Sequence, residues 1–305
     1  MISYVIATRD EDPEVLRRTV EGIRATTPRL DREIVVVDDG SRVAVSGLGD
    51  DVLLIRNHEP QGSSSARRSG FAAASGSVLV SLDAHMSFDP GWLDPLLDEA
   101  ATGAVVCAAF WDYPRAEPCA WGADLAWSST RAWDVGTHPG LLAIHRREDP
   151  GPGAHDVPSL LGACYMMRRS TYEAIGGWCP VFRVWGAEEP DLSVRAWKAG
   201  FPVRCVADSR VGHLNQRAFR YPVAFDHVEF NQVVMLRSLF EYRTIERLER
   251  DFAPLSPIVA GWLSSTPLAE WRTRARAGAL LTDGEFFARF VPDLHARLAA
   301  RDVPQ

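Results

Sequence analysis

Asp83-Ala84-His85 sets a carboxylate and an imidazole two residues apart. On extended backbone, residues i and i+2 project to the same side, so both can reach one ion. That donor pair suits a divalent transition metal such as Mn²⁺, with Mg²⁺ as the alternative cation. Alone, a D-x-H tripeptide is as readily a turn cap beside a packed histidine. The segment VADSRVGH, a strand and turn, adds His213 as a third ligand. Three protein ligands leave positions open for diphosphate oxygens, whose charge the metal neutralises as the leaving group departs.

Asp38-Asp39-Gly40-Ser41 follows the apolar run IVVV (34–37). It reads equally as a polar turn and as a pair of acids past a buried parallel strand, where they accept a uracil N–H or ribose hydroxyls. Gly62 to Gly70 (GSSSARRSG) reads as a turn and helix start with solvated arginines, or as a loop that puts the Arg67 guanidinium beside a nucleotide. The densest spot is Trp185-Gly186-Ala187-Glu188-Glu189-Pro190-Asp191. One acid ahead of a proline merely favours a helix N-terminus. Three acids in four positions beside Trp185 point to a site, with Glu189 as general base for an acceptor hydroxyl and Glu188 turned elsewhere, onto acceptor or donor sugar.

These residues need a scaffold. ISYVIA (2–7), IVVV (34–37), VLLI (52–55), VLVSL (78–82) and VVCAAF (105–110) read as strands. Between them lie helical patterns: one from the Asp12-Pro13 cap, one over 64–75, and one from Asp89-Pro90 to Glu99. Such alternation predicts βαβ crossovers in a mostly parallel sheet, with ligands beyond its carboxyl edge. Residues 111–157 are rich in Trp, Pro and Gly and read as an irregular excursion, with Trp111, Trp121, Trp127 and Trp133 as an acceptor-side wall or a loop core. Order returns with a strand at 159–167, a Ser170/Glu173 capping box, a helix from Pro190 to Gly200 and a strand at 202–206. From 223 the pattern is mainly helical, with a Thr282/Glu285 capping box. The division expected is a catalytic domain over 1–222 (a nucleotide half, 1–110, and an acceptor and metal half, 111–222) and a helical extension over 223–305.

Composition excludes other classes. The net charge is −7 and no Lys/Arg cluster exceeds a pair, so no stripe exists to neutralise a nucleic-acid backbone. Five cysteines without a C-x-x-C pair suit reduced thiols in a cytoplasmic enzyme. The N-terminal apolar run is too short for a membrane span and lacks a basic leader.

Taken in order, VVDDGS, GxxxAR, LDAH, GWLDPLL, WGxEE, RxW and VGH resemble the GT-A fold glycosyltransferases of the large inverting superfamily, and most closely the polypeptide N-acetylgalactosaminyltransferases. The resemblance runs from residue 2 to about 245. It implies an αβα sandwich and a nucleotide-sugar donor, with a UDP-sugar expected. It also implies nucleotide contact by Thr8, Asp39 and Arg67, and metal binding by Asp83, His85 and His213. Trp185 falls on the donor side. The arginine expected three residues after the histidine to hold the diphosphate is Gln216 here, and Arg217 is adjacent. Glu189 stands where that family has asparagine and Ala187 where it has glycine. Glu189 restores the base of inverting relatives, whereas the closest family retains configuration. The function expected is metal-dependent transfer of a hexosyl or N-acetylhexosaminyl group to a peptide, glycan or small metabolite. The alternatives are an inactive sugar-nucleotide-binding protein or a nucleotidyltransferase on a related fold.

Overall fold

The structure, a computed structural model, describes residues 1–300 apart from 29, 115–116, 130–138, 216–219, 251 and 253. The nucleotide half follows the expected alternation: β1 (Ile2–Thr8), α1 (Pro13–Thr26), β2 (Arg32–Asp39), β3 (Val52–Asn57), α2 (Ser63–Ala73) and β4 (Val78–Leu82). A short β5 (Met86–Phe88) and α3 (Asp94–Ala101) lead to β6 (Val105–Asp112). β7 (Glu117–Ala120), β8 (Ala123–Ser128), β9 (Gly140–His145) and β10 (Ala154–Asp156) come next. They are followed by β11 (Cys164–Arg168), α4 (Arg169–Ala174), α5 (Glu188–Lys198) and β12 (Val203–His213). From Phe225 every described element is a helix: α6 (Phe225–Leu239), α7 (Tyr242–Glu249), α8 (Pro257–Ser265), α9 (Ala269–Ala275), α10 (Asp283–Phe290) and α11 (Pro292–Ala300).

The main sheet has the order β10-β12-β6-β11-β4-β1-β2-β3. β4-β1-β2-β3 and the β12-β6 pair are parallel, while β11 runs antiparallel between β4 and β6. β4, β1, β2 and β12 therefore end at the same edge. Both faces are covered. Val5 and Val37 meet α2 where Gly70 lets the helix approach closely. Tyr4, one residue away and so on the opposite face, packs against Trp92, which bonds Thr26 of α1 at 3.0 Å. This is the expected αβα sandwich.

Several local expectations are corrected. Asp89-Pro90 does not cap α3, which starts at Asp94 because 86–88 is drawn off as β5. Ser170 and Glu173 lie inside α4 without a side-chain cap, whereas Thr282 and Glu285 form their box. α5 begins at Glu188, so Pro190 is its third residue. The strand expected at 159–167 spans only Cys164–Arg168, and the one at 202–206 extends to His213. The 111–157 stretch is not irregular: β7 joins the main sheet and β8 pairs with β9. The C-terminal helices are bound in through a buried ion pair, Lys198 to Asp283 at 2.5 Å.

Candidate active site

A cleft of about 800 Å³ opens over the carboxyl ends of β1, β2, β4 and β12. Those four strands deliver Thr8, Asp39, Asp83 and His213 to it. The three expected metal ligands meet there. His85 Nε2 lies 3.2 Å from His213 Nε2, which lies 3.3 Å from Asp83 Oδ2. The ladder between β5 and β12 makes the meeting, since Met86 pairs with His213 and Leu214 N donates to the His85 carbonyl at 3.1 Å. Gly212 permits that ladder, because a Cβ there would strike Ser87 Oγ at 2.2 Å. From below, the buried Thr19 hydroxyl donates to the Ala84 carbonyl and accepts the Met86 amide, each at 2.9 Å.

The donor set fits a divalent cation. Two ring nitrogens facing one another can share at most one proton between them, and a cation lets both lone pairs and the carboxylate point inward. Burial works to raise the Asp83 carboxyl, but the His213 hydrogen bond and the Arg67 charge outweigh it and hold the group well below the carboxylate range. Burial likewise works to lower His85, and its hydrogen bond to Glu11 and the charge of Asp83 raise it instead.

Arg67 is not the solvated arginine of one sequence reading; it lines the cleft, as the other reading expects of a residue beside the nucleotide. It is 6% exposed and committed to carboxylates: Nη2 donates to Asp83 Oδ1 at 2.9 Å, and Nη1 lies 3.6 Å from Glu189 Oε1. It thus sits between the metal ligands and the expected base. Asp39 is also occupied, accepting from Asn57 Nδ2 (2.7 Å), Gln61 N (2.9 Å) and Gly62 N (2.8 Å). Asp38 serves its turn, taking Ser41 N at 2.9 Å and Arg56 at 2.5 Å. Thr8 is buried on the cleft wall and its hydroxyl has no hydrogen-bond partner among the described residues.

The Trp185–Glu189 segment closes the other side. Val184 and Ala187 have φ of 46° and 69°, left-handed values that non-glycine residues adopt only where their surroundings impose them. Asn231 of α6, fully buried, imposes them in part. It accepts Arg183 N at 2.8 Å and donates to the carbonyls of Arg183, Trp185 and Gly186 at 2.8, 3.2 and 2.9 Å. Gly62, at φ 97°, packs so closely that a Cβ would lie 2.5 Å from Val184 Cα. Trp185 is 41% exposed on the cleft. Glu188 turns inward to the Gly186 amide at 2.6 Å and to the Ser63 hydroxyl. Glu189 faces the cleft.

Three other outcomes bear on the sequence reading. Trp111, Trp121 and Trp127 do not line the cleft: Trp111 packs edge-on against Trp121, and Trp127 stacks on Phe252. The wall comes instead from Leu142–His145 of β9, held to α6 by Gln232, whose side chain brackets Leu141 at 3.1 and 3.2 Å. Arg217, Gln216 and Trp133 lie outside the described residues. Glu11, Tyr221 and Asn231 escaped the sequence reading. Glu11 had a signal, since it follows a strand end as Asp39 does, but Asn231 sits inside an ordinary helical pattern and had none.

The sequence model of glycosyl transferase family 2 matches residues 3–176, and that of the N-terminal domain of galactosyltransferase matches 151–217. Polypeptide N-acetylgalactosaminyltransferase 8 of Drosophila melanogaster is 29% identical over 231 residues, 70% of this chain and 38% of that protein. Polypeptide N-acetylgalactosaminyltransferase 11 of Xenopus tropicalis is 28% identical over 260 residues, 76% of this chain and 41% of that one. The chain thus spans less than half the length of these relatives. A crystal structure of GalNAc-T7 with UDP, GalNAc and Mn²⁺ superposes on 97% of this chain and 58% of its own, at a TM-score of 0.74 and 20% identity. That likeness shows the same fold, the GT-A arrangement. Since the family 2 match alone takes in more than half of the residues, the chain belongs to glycosyl transferase family 2.

Proposed function

We propose that the chain is a metal-dependent glycosyltransferase that moves a hexosyl or N-acetylhexosaminyl group from a nucleotide diphosphate donor, a UDP-sugar, to an acceptor hydroxyl. The observation that carries this reading is the convergence of Asp83 Oδ2, His85 Nε2 and His213 Nε2 in one cleft with Glu189. Mn²⁺ (or Mg²⁺) held there supplies positive charge for the departing diphosphate. Thr8, Asp39 and the exposed Trp185 stand where base, ribose and donor sugar would lie, and Arg217 is assigned to the diphosphate. Arg67 contacts the nucleotide from the cleft wall and also fixes Asp83 and Glu189 in place. Glu189 is the base and Glu188 shapes the loop beneath the sugar.

The names of the relatives favour a peptide acceptor, while the chain's own residues leave glycan and small metabolite open. Residues 1–222 are read as the catalytic unit and 223–305 as a helical extension that also supports the site through Asn231 and Gln232. A cytoplasmic setting fits the five unpaired cysteines, and among the described residues no helix is long and apolar enough to cross a membrane. The test is donor hydrolysis across UDP-, GDP- and TDP-sugars with Mn²⁺. Release of free sugar and nucleoside diphosphate supports transfer chemistry. Binding without turnover favours an inactive binder, and release of pyrophosphate from a nucleoside triphosphate favours a nucleotidyltransferase.

A further inference from the structure

Glu11 belongs to no motif, yet its side chain is only 5% exposed and both of its oxygens are engaged. It lies on the turn from β1 to α1, just after Asp10, whose φ of 53° is left-handed. That turn is pinned on both sides. Asp10 N donates to Ser41 Oγ at 2.9 Å, and Asp10 Oδ1 accepts Arg42 N at 2.8 Å. The helix cap is supplied by the next residue, Asp12, which accepts Glu14 N at 2.8 Å, so α1 does not require Glu11 as its cap. Glu11 is aimed elsewhere. Its Oε2 lies 2.7 Å from His85 Nδ1, and its Oε1 accepts from Arg220 Nη2 and from Asp12 N, both at 2.9 Å.

We infer that Glu11 is a positioning residue for the metal centre, and that Arg220 acts on that centre through Glu11. The inference rests on the metal reading above. A neutral imidazole carries one N–H and one lone pair, and which nitrogen has which is set by the partner of the other. An ionised carboxylate only accepts, so Glu11 keeps the proton on His85 Nδ1 and leaves the Nε2 lone pair facing His213 and Asp83. It also fixes the ring plane and increases the donor strength of Nε2. A carboxylate buried this far needs compensating donors, and Arg220 supplies a charged one. Arg220 lies seven residues beyond His213 and precedes Tyr221, which lines the same cleft and stacks under Arg9 at 4.5 Å. The segment after the third ligand is thereby tied back to the second ligand. The state of the metal centre and the placement of Tyr221 are coupled through one carboxylate.

The test measures Mn²⁺ affinity on the full chain by electron paramagnetic resonance of free Mn²⁺, with thermal unfolding in EDTA as a fold control. Glu11→Ala should weaken Mn²⁺ binding by ~10–100-fold, while Glu11→Gln, which keeps an acceptor oxygen, should stay within a few-fold of the parent. Arg220→Met should give a smaller loss. The double variant should bind no more weakly than Glu11→Ala alone, because the arginine acts through the glutamate. Parent-like affinity in a folded Glu11→Ala, or strictly additive losses in the double variant, overturns the inference. Absence of Mn²⁺ binding by the parent chain overturns the metal reading itself, which is a separate result.

Discussion

Glu188 and Glu189 are sequence neighbours whose carboxylates answer to opposite sides of one loop: Glu188 to the Gly186 amide at 2.6 Å beneath it, Glu189 to Arg67 at 3.6 Å across the cleft. Both sit in the first turn of α5, where exposed N–H groups favour negative charge. Burial still dominates. It raises Glu188 to about 7, with the neighbouring Glu189 charge adding to the rise, and it raises Glu189 also, with Arg67 pulling the other way.

The Glu188 shift has a sign in stability. An unfolded glutamate is ionised above about 4.5, whereas the folded chain still holds this proton until about 7. The native state therefore binds more protons across that interval, and stability falls as pH rises through it. Glu188→Gln removes the dependence. Measured in EDTA, the variant should gain on the parent between pH 5 and pH 8 by ~1–3 kcal/mol. Parallel unfolding curves for the two proteins across that range would remove the assignment.

Metal removal should abolish donor hydrolysis, and Mn²⁺ should restore it. His213→Ala is a cleaner probe than Asp83→Ala, because Asp83 also neutralises the buried Arg67. Deleting that partner is expected to destabilise by ~3–5 kcal/mol. A His213→Ala chain that hydrolyses donor in EDTA as fast as the parent in Mn²⁺ would show that the three ligands serve no cation.

Asp39 carries two roles that calorimetry can separate. Its oxygens hold Asn57, Gln61 and Gly62, so Asp39→Ala should lower stability by ~1–3 kcal/mol through unpaired donors. If it also meets the nucleotide, UDP affinity should fall by a similar amount at a temperature where the variant remains folded. Stability loss with unchanged UDP affinity would leave Asp39 a turn residue only.

Asn231 should behave as part of the cleft although it lies on the C-terminal helices. Asn231→Leu leaves the Arg183 amide and three carbonyls without their partner and frees the strained 183–187 loop. The expected result is ~1–3 kcal/mol of destabilisation together with a raised donor KM. A variant that loses stability but keeps its KM would mean that the loop holds its shape without this tether.

What was legible in the sequence follows from range. β1, β2 and β4 were readable because buried parallel strands are continuous apolar runs of fixed length, and Asp39 and Asp83 follow from where those runs stop. His213 was readable because it closes the VADSRVGH run, although VGH proves to be strand and not turn. The β5–β12 ladder was not, since three residues carry too little periodicity, and yet it sets His85 against His213. The commitment of Arg67 to Asp83 and Glu189 was equally hidden, because it joins residues 16 and 122 positions apart. Asn231 was invisible for the same reason, its meaning lying in carbonyls some 45 residues upstream.

In the proposed reading, the stereochemical outcome turns on Glu189. An inverting transfer needs a base on the face opposite the departing diphosphate, within hydrogen-bond reach of the acceptor hydroxyl. Glu189 is suited to that task. Its backbone is fixed in the first turn of α5, its carboxylate faces the cleft, and Gly162 leaves it room, since a Cβ there would come within 3.0 Å of Oε1. Burial raises its proton affinity above that of an ordinary glutamate. The Arg67 charge, 3.6 Å away, works against that rise. Glu189→Gln keeps the shape and removes the basicity, so kcat should fall by ~10²–10⁴ with donor affinity nearly unchanged. Anomeric NMR of the product then separates two roles. A β-linked product from an α-linked donor establishes inversion with Glu189 as base. An α-linked product means retention, and the carboxylate beside Arg67 then positions substrate instead of taking the proton.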